Sequence, residues 1–176
     1  MEKLTQTKRN LISSAAVTFK DRKILILDGV RGRAFETFKA FLIKKNAPIE
    51  REEVIFFKDL TLFGGGEEGV LITDKHFYYY QWGFRQIAIA DISEVLIGGL
   101  FDENIVFALK SGHTVSIWLS KLFQEIKAVI AILQTDDVAF DAAKSQPVQV
   151  QCLGCKAIVR REQNICDYCR SPLPSC

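Results

Sequence analysis

The chain has 176 residues, of which 48% are hydrophobic and 25% charged, a composition typical of a folded globular domain with a small appendage. No apolar run approaches the roughly 18–20 residues that span a bilayer, and no secretory signal stands out, so we expect a cytoplasmic protein. The formal net charge is only +2, but residues 51–143 hold 7 Lys and Arg against 14 Asp and Glu, and both ends are basic. The acidic middle of the chain should repel phosphate.

Residues 1–50 are expected to form an N-terminal helical segment. Residues 3–19 show an imperfect helical spacing, and residues 33–45 predict a clearer helix with four large apolar side chains on one stripe. A basic amphipathic helix of this kind is compatible with a membrane surface. We expect instead that its apolar face packs on the following domain, as in most surface helices. The stripe comprises Phe35, Phe38, Phe41 and Leu42.

From residue 53 onward the apolar period changes to two. Seven short runs, rich in β-branched and aromatic residues and separated by Gly, Asp or Ser turns, predict strands. Strands at this spacing predict a meandering antiparallel sheet that curls into a sandwich or barrel. The runs are Val54–Phe57, Gly69–Thr73, Phe77–Trp82, Gln86–Ala90, Glu94–Ile97, Ile105–Leu109 and Thr114–Trp118.

A helix is predicted after the last strand. Apolar residues between Leu119 and Leu133 form a single stripe, and Ser120 is the expected N-cap. This helix should cover one open end of the sheet. Residues 135–150 then read as a linker, because they contain adjacent acids and a Ser-Gln-Pro step and show no periodicity.

Two segments of the strand region carry a family resemblance. Residues 62–66, Leu-Phe-Gly-Gly-Gly, lead into residues 69–80, where a strand ends in Thr-Asp-Lys and restarts with aromatics, and residues 87–95 contain an Asp-Ile step between two strands. Residues 51–134 thereby resemble bacterial pleckstrin-homology-like (PH-like) domains. The resemblance implies an α+β fold, namely an antiparallel β-barrel or sandwich capped by a C-terminal helix. It also implies a phosphoinositide ligand, but Glu67 and Glu68 stand where a head group needs Lys or Arg.

The tail, residues 151–176, predicts a structural metal site. Two Cys-x-x-Cys pairs separated by ten residues can turn four thiolates toward one tetrahedral zinc ion. A segment this small needs the metal to fold. A disulfide among the four and a redox Cys pair are the alternatives, and Cys176 is expected to be a free thiol. The tail resembles short bacterial zinc ribbons, which place apolar residues where Ile158 and Ile165 stand. The predicted ligands are Cys152, Cys155, Cys166 and Cys169.

Together these features predict a non-catalytic interaction module, with a protein as the favoured partner and one structural Zn²⁺ as the cofactor. One alternative is nucleic-acid binding through Lys156, Arg160 and Arg161 with help from the basic N-terminal region. A second is peripheral membrane association through residues 33–45. His76 and His113 are isolated histidines, so we predict no catalytic residue and no small-molecule substrate.

Overall fold

The computed structural model of this chain describes residues 4–21, 23–101, 103–135, 149–151, 158–160 and 169. It divides into two compact units, Met1–Thr135 and Asp136–Cys176. The N-terminal helical segment and the predicted strand region therefore belong to one unit. Among the residues described, no helix has the length and apolar character needed to cross a membrane.

The first unit contains three α-helices and eight strands among its described residues. Short 3₁₀ turns at Leu27–Gly29, Ile49–Arg51, Ile89–Asp91 and Ser120–Leu122 join some of them. In chain order the elements are α1 (Gln6–Ala16), β1 (Leu25–Ile26), α2 (Arg33–Lys44), β2 (Val54–Asp59), β3 (Gly69–Thr73), β4 (His76–Tyr80), β5 (Arg85–Ala88), β6 (Ile92–Gly98), β7 (Asn104–Leu109), β8 (Thr114–Ile117) and α3 (Phe123–Gln134).

The first five strands form one antiparallel sheet in the order β1-β2-β3-β4-β5. Every residue of β3 is buried, because both faces of this sheet are covered. Val70 and Ile72 point into the main core, whereas Leu71 points to the opposite face. The seven strands predicted between residues 54 and 118 are all present, and the short β1 adds an edge.

Helix α2 covers the outer face of the five-stranded sheet. Its buried residues Phe35, Phe38 and Leu42 pack with Phe57, Leu71 and Tyr78 of the strands. The Phe38 and Phe57 ring centroids lie 5.7 Å apart. The expected packing of this helix is confirmed, so the apolar stripe that a membrane contact would use is already buried within the unit.

Strands β6, β7 and β8 form a second antiparallel sheet, and the main core lies between the two sheets and helices α1 and α3. Phe77 of the first sheet meets Phe107 of the second at 4.6 Å between ring centroids. Lys8 of α1 donates from Nζ to the carbonyl oxygen of Leu133, 3.1 Å away. A cation at this position is favourable, because the last carbonyls of a helix carry partial negative charge.

The predicted start of the last helix is wrong in detail. Residues Ser120–Leu122 form a 3₁₀ turn, and α3 begins only at Phe123. Its N-cap is Leu122, whose side chain makes no capping hydrogen bond. The backbone N–H of Ser120 donates to the carbonyl oxygen of Glu103, 3.2 Å away, and ties the chain to the β6–β7 connection.

The architecture is thus α+β, with two packed antiparallel sheets and a C-terminal helix on the first unit. Within the described residues the sheets do not join into a closed barrel, since β5 and β6 are separated by the turn Ile89–Asp91 and share no ladder. Sandwich rather than barrel is the better description.

In the second unit, β9 (Gln149–Gln151) pairs antiparallel with β10 (Ile158–Arg160). Most of the predicted linker and ribbon lies outside the described residues, including Cys152, Cys155 and Cys166. Cys169 is described, lies in a turn and is exposed.

Candidate functional site

Six large apolar side chains are strongly exposed at one end of the first unit. Their exposed fractions run from 56% to 94%, values far from those of core residues. They belong to the β2–β3, β4–β5 and β6–β7 connections and to the end of β8, which all lie at the same end of the two sheets. We call this set the apolar loop surface. It consists of Leu62, Phe63, Trp82, Leu100, Phe101 and Trp118.

The β2–β3 connection is organised around one hydroxyl group. Asp59 accepts hydrogen bonds from the Thr61 N–H at 2.9 Å and the Thr61 hydroxyl at 2.6 Å. The Thr61 oxygen in turn accepts the N–H of Gly65 at 2.7 Å. The polar groups inside the connection therefore bind one another. Its apolar tip residues Leu62 and Phe63 are exposed to solvent.

Gly66 fixes the same connection to helix α2. Its φ is +73°, a left-handed conformation that favours glycine, and a Cβ at this position would overlap the backbone of Ala34. Only a residue without a side chain permits this approach. The connection is therefore held against the start of α2.

The two tryptophans of the chain meet across the two sheets. Trp82 follows β4 and Trp118 follows β8, and their ring centroids lie 6.4 Å apart at an interplanar angle of 53°. The hydrogen bond from Ser120 to Glu103 keeps the β6–β7 connection, with Leu100 and Phe101, beside the end of β8. The structure thus brings together Trp82 and Trp118, which are 36 positions apart in sequence.

The opposite end of the unit is polar and internally bonded. The side chain of Glu52 is only 2% exposed, and its Oε1 lies 2.6 Å from Nδ1 of His76. Its Oε2 accepts the hydroxyls of Thr73 at 2.7 Å and Tyr78 at 2.9 Å. Both carboxylate oxygens are thereby satisfied, which is the condition for keeping a charge buried.

This cluster also organises the turn between β3 and β4. The Thr73 oxygen accepts the N–H of His76 at 2.8 Å, and Asp74 accepts the N–H of Glu53 at 2.8 Å. Burial raises the pKa of Tyr78, and the hydrogen bond to the Glu52 carboxylate raises it further. Burial likewise raises the pKa of Asp74, against the opposing effect of its hydrogen bond from Glu53.

A groove of about 770 Å³ lies beside this turn. Its polar lining comes from Asp74, Lys75, His76, Ser93, Lys110 and Gln134. Gln134 donates from Nε2 to the carbonyl oxygens of both Ile89 and Ile92, so its amide fastens α3 to the chain between the sheets. His76, which also lines this groove, ties the start of β4 to the segment before β2 through its bond to Glu52.

The two predicted lone histidines are not brought together. His76 is bonded to Glu52, whereas His113 is exposed in the β7–β8 turn. Glu67 is exposed and Glu68 partly buried in the β2–β3 connection, as expected for a solvated loop. Among the residues that the structure describes, no group of three or more His, Cys, Asp or Glu side chains could hold a metal ion. The prediction of a four-cysteine site rests mainly on residues outside that part of the chain.

No family model matches this chain, and neither the curated proteins nor the solved structures include a significant match to it.

Proposed function

We propose that this chain is a non-catalytic interaction module that binds a protein partner through the apolar loop surface. The exposed aromatic cluster carries the proposal. Large patches of exposed apolar side chains are uncommon on proteins that act alone, and Trp and Phe are enriched at the centres of interfaces. Burying each of these side chains fully is worth about 1.5–3 kcal/mol, which offsets part of the cost of association.

Residues 51–134 are proposed to be a PH-like domain. Seven strands followed by one helix, in two packed antiparallel sheets, support this assignment. The apolar loop surface then makes the domain a protein-binding one. Glu67 and Phe63 are both exposed in the β2–β3 connection, so the loop is a poor site for a phosphorylated head group.

Residues 151–176 are proposed to be a zinc ribbon that provides a second docking surface. Strands β9 and β10 pair directly on either side of the segment that contains Cys152 and Cys155, and a hairpin of this kind is compatible with a two-cysteine corner. Cys152, Cys155, Cys166 and Cys169 would hold the ion, which would supply folding energy and no open position for chemistry. The purified protein should contain about one equivalent of zinc, measured by elemental analysis, and C152S/C155S should contain none. Absence of zinc from the unaltered protein would remove the ribbon from the proposal.

Affinity capture from the native cell tests the protein-binding role. Tagged full-length protein is compared with F63S/F101S, which removes two exposed rings, and with I43S, a control at an exposed apolar position on α2. We expect captured proteins to fall at least fivefold with F63S/F101S and to stay unchanged with I43S. Equal capture by all three proteins would contradict the proposal. Nucleic acid that co-purifies and is released steeply by salt would support the nucleic-acid alternative instead.

A further inference from the structure

The apolar loop surface is large enough for a complete interface. At exposed fractions of 56–94%, its four aromatic side chains alone present roughly 600 Å². This sum over separate side chains is comparable with the largest contiguous apolar patch of about 300–600 Å² on a typical monomer. With Leu62 and Leu100 added, it approaches the roughly 800 Å² that each partner buries in a standard interface.

An apolar surface of this kind is compatible with a contact between identical chains. Interfaces of homodimers are more apolar than those between independently soluble partners, and charged residues are depleted at their centres. Trp82 follows a strand of one sheet and Trp118 follows a strand of the other, and their rings lie beside each other. Aromatic side chains are enriched among the residues that contribute most to interface affinity.

The charges that border the surface are of both signs. Glu67 lies in the β2–β3 connection and Glu103 in the β6–β7 connection, while Arg85 begins β5 and Lys121 follows Trp118 closely. A border of one sign would repel its own copy. A border of mixed sign allows an acidic side chain of one copy to face a basic side chain of the other under two-fold rotation.

We propose that the protein partner on the apolar loop surface is a second copy of this chain, docked face to face about a two-fold axis. The inference rests on the proposed function, since it names the partner of the same surface. In such a dimer the Trp82 and Trp118 pairs of both copies are covered. Each copy's polar end, with Glu52 and His76, faces away from the interface.

Analytical ultracentrifugation of the full-length, reduced and zinc-supplemented protein over a wide concentration range tests the inference. We expect a dimer that dissociates on dilution. F63S/F101S should weaken its association at least tenfold, and I43S should leave it unchanged. Circular dichroism should show the same secondary structure for all three proteins, because none of the altered side chains belongs to either core cluster.

A monomer at every concentration would overturn the inference. If such a monomer still captured another protein in a manner that F63S/F101S abolishes, the second copy would be wrong and the proposed function would stand. If neither self-association nor capture depended on these rings, both would fail. A monomer that sediments with zwitterionic phosphatidylcholine vesicles only when the rings are intact would also overturn the inference, in favour of a membrane surface.

Discussion

The two ends of the first unit differ in how their side chains are satisfied: by internal hydrogen bonds at one end, and by exposure to solvent at the other. At the polar end, a buried carboxylate is surrounded by a histidine and two hydroxyls, and its hydrogen-bonding groups bind one another. At the apolar end, hydrogen bonds hold the backbone of the β2–β3 connection in place while Leu62 and Phe63 stand in water. The hydrogen-bonding groups at the polar end thus stabilise the fold, whereas the apolar side chains at the other end remain exposed to solvent.

This difference separates stability from binding. Side chains at the polar end are satisfied within the unit, so changing them should alter the free energy of unfolding. Exposed rings at the apolar end contribute little to folding, so changing them should alter association alone. The connections that carry those rings are still part of the fold. Substitutions of their glycines and hydroxyl groups should therefore lower the free energy of unfolding.

The largest effect is expected for E52A at the polar end. The substitution leaves His76 and two hydroxyls without their shared partner in a buried site. Breaking buried pairs of this kind costs about 3–5 kcal/mol, and we expect roughly 3 kcal/mol because His76 is partly exposed. Chemical denaturation measures the loss, with E52Q as the milder variant that keeps the volume and an acceptor oxygen. A change below about 0.5 kcal/mol would show that this end does not hold the fold.

A pair of glycines, one at each end, gives the next effect. Gly66 and Gly112 both have positive φ, but a Cβ at Gly66 would meet the Ala34 backbone whereas one at Gly112 would meet nothing within 4 Å. G112A should therefore cost only the conformational penalty of about 1 kcal/mol. G66A should cost at least about 2 kcal/mol, because the overlap adds to that penalty. Equal losses in matched denaturation curves would mean that the β2–β3 connection moves freely away from α2.

The smallest effect concerns Asp74. Burial raises the pKa of its carboxyl above the ordinary 3.8, so the folded state holds this proton more tightly than the unfolded state. The resulting stability is fully present below pH 3.8 and is lost as pH rises through the folded pKa.

D74N should abolish this one contribution to the pH dependence while keeping a side-chain oxygen for the N–H of Glu53. Melting temperatures from pH 3 to pH 7 measure it. The unaltered protein should lose stability relative to D74N as pH rises over that interval. Parallel curves for the two proteins would contradict the raised pKa.

Sequence patterns predicted most of the strands and the amphipathic helix, because burial follows a strict period in both. The α2 stripe and the alternation along β7 are examples. Ser120 has the local preference of a cap, but it lies in a 3₁₀ turn and α3 begins only at Phe123, so the predicted N-cap is wrong.

The apolar loop surface was missed for a related reason. Trp82 and Trp118 were predicted to lie inside strands, but β4 ends at Tyr80 and β8 ends at Ile117, so both rings fall in connections. A usable signal existed in Leu62-Phe63 before three glycines and Leu100-Phe101 after two, because apolar pairs in turns have no core to enter. Glu52 could not have been found, since its partners His76 and Tyr78 are 24 and 26 residues away.

Tryptophan fluorescence tests the central claim most directly, because both tryptophans of the chain lie on the apolar loop surface. Emission and acrylamide quenching are recorded on the full-length protein as its concentration rises. We predict that the emission maximum shifts to the blue and that quenching weakens as the copies associate and the rings leave water. Rings that stay red-emitting and fully quenchable, while ultracentrifugation shows a dimer, would place the interface elsewhere and contradict this account.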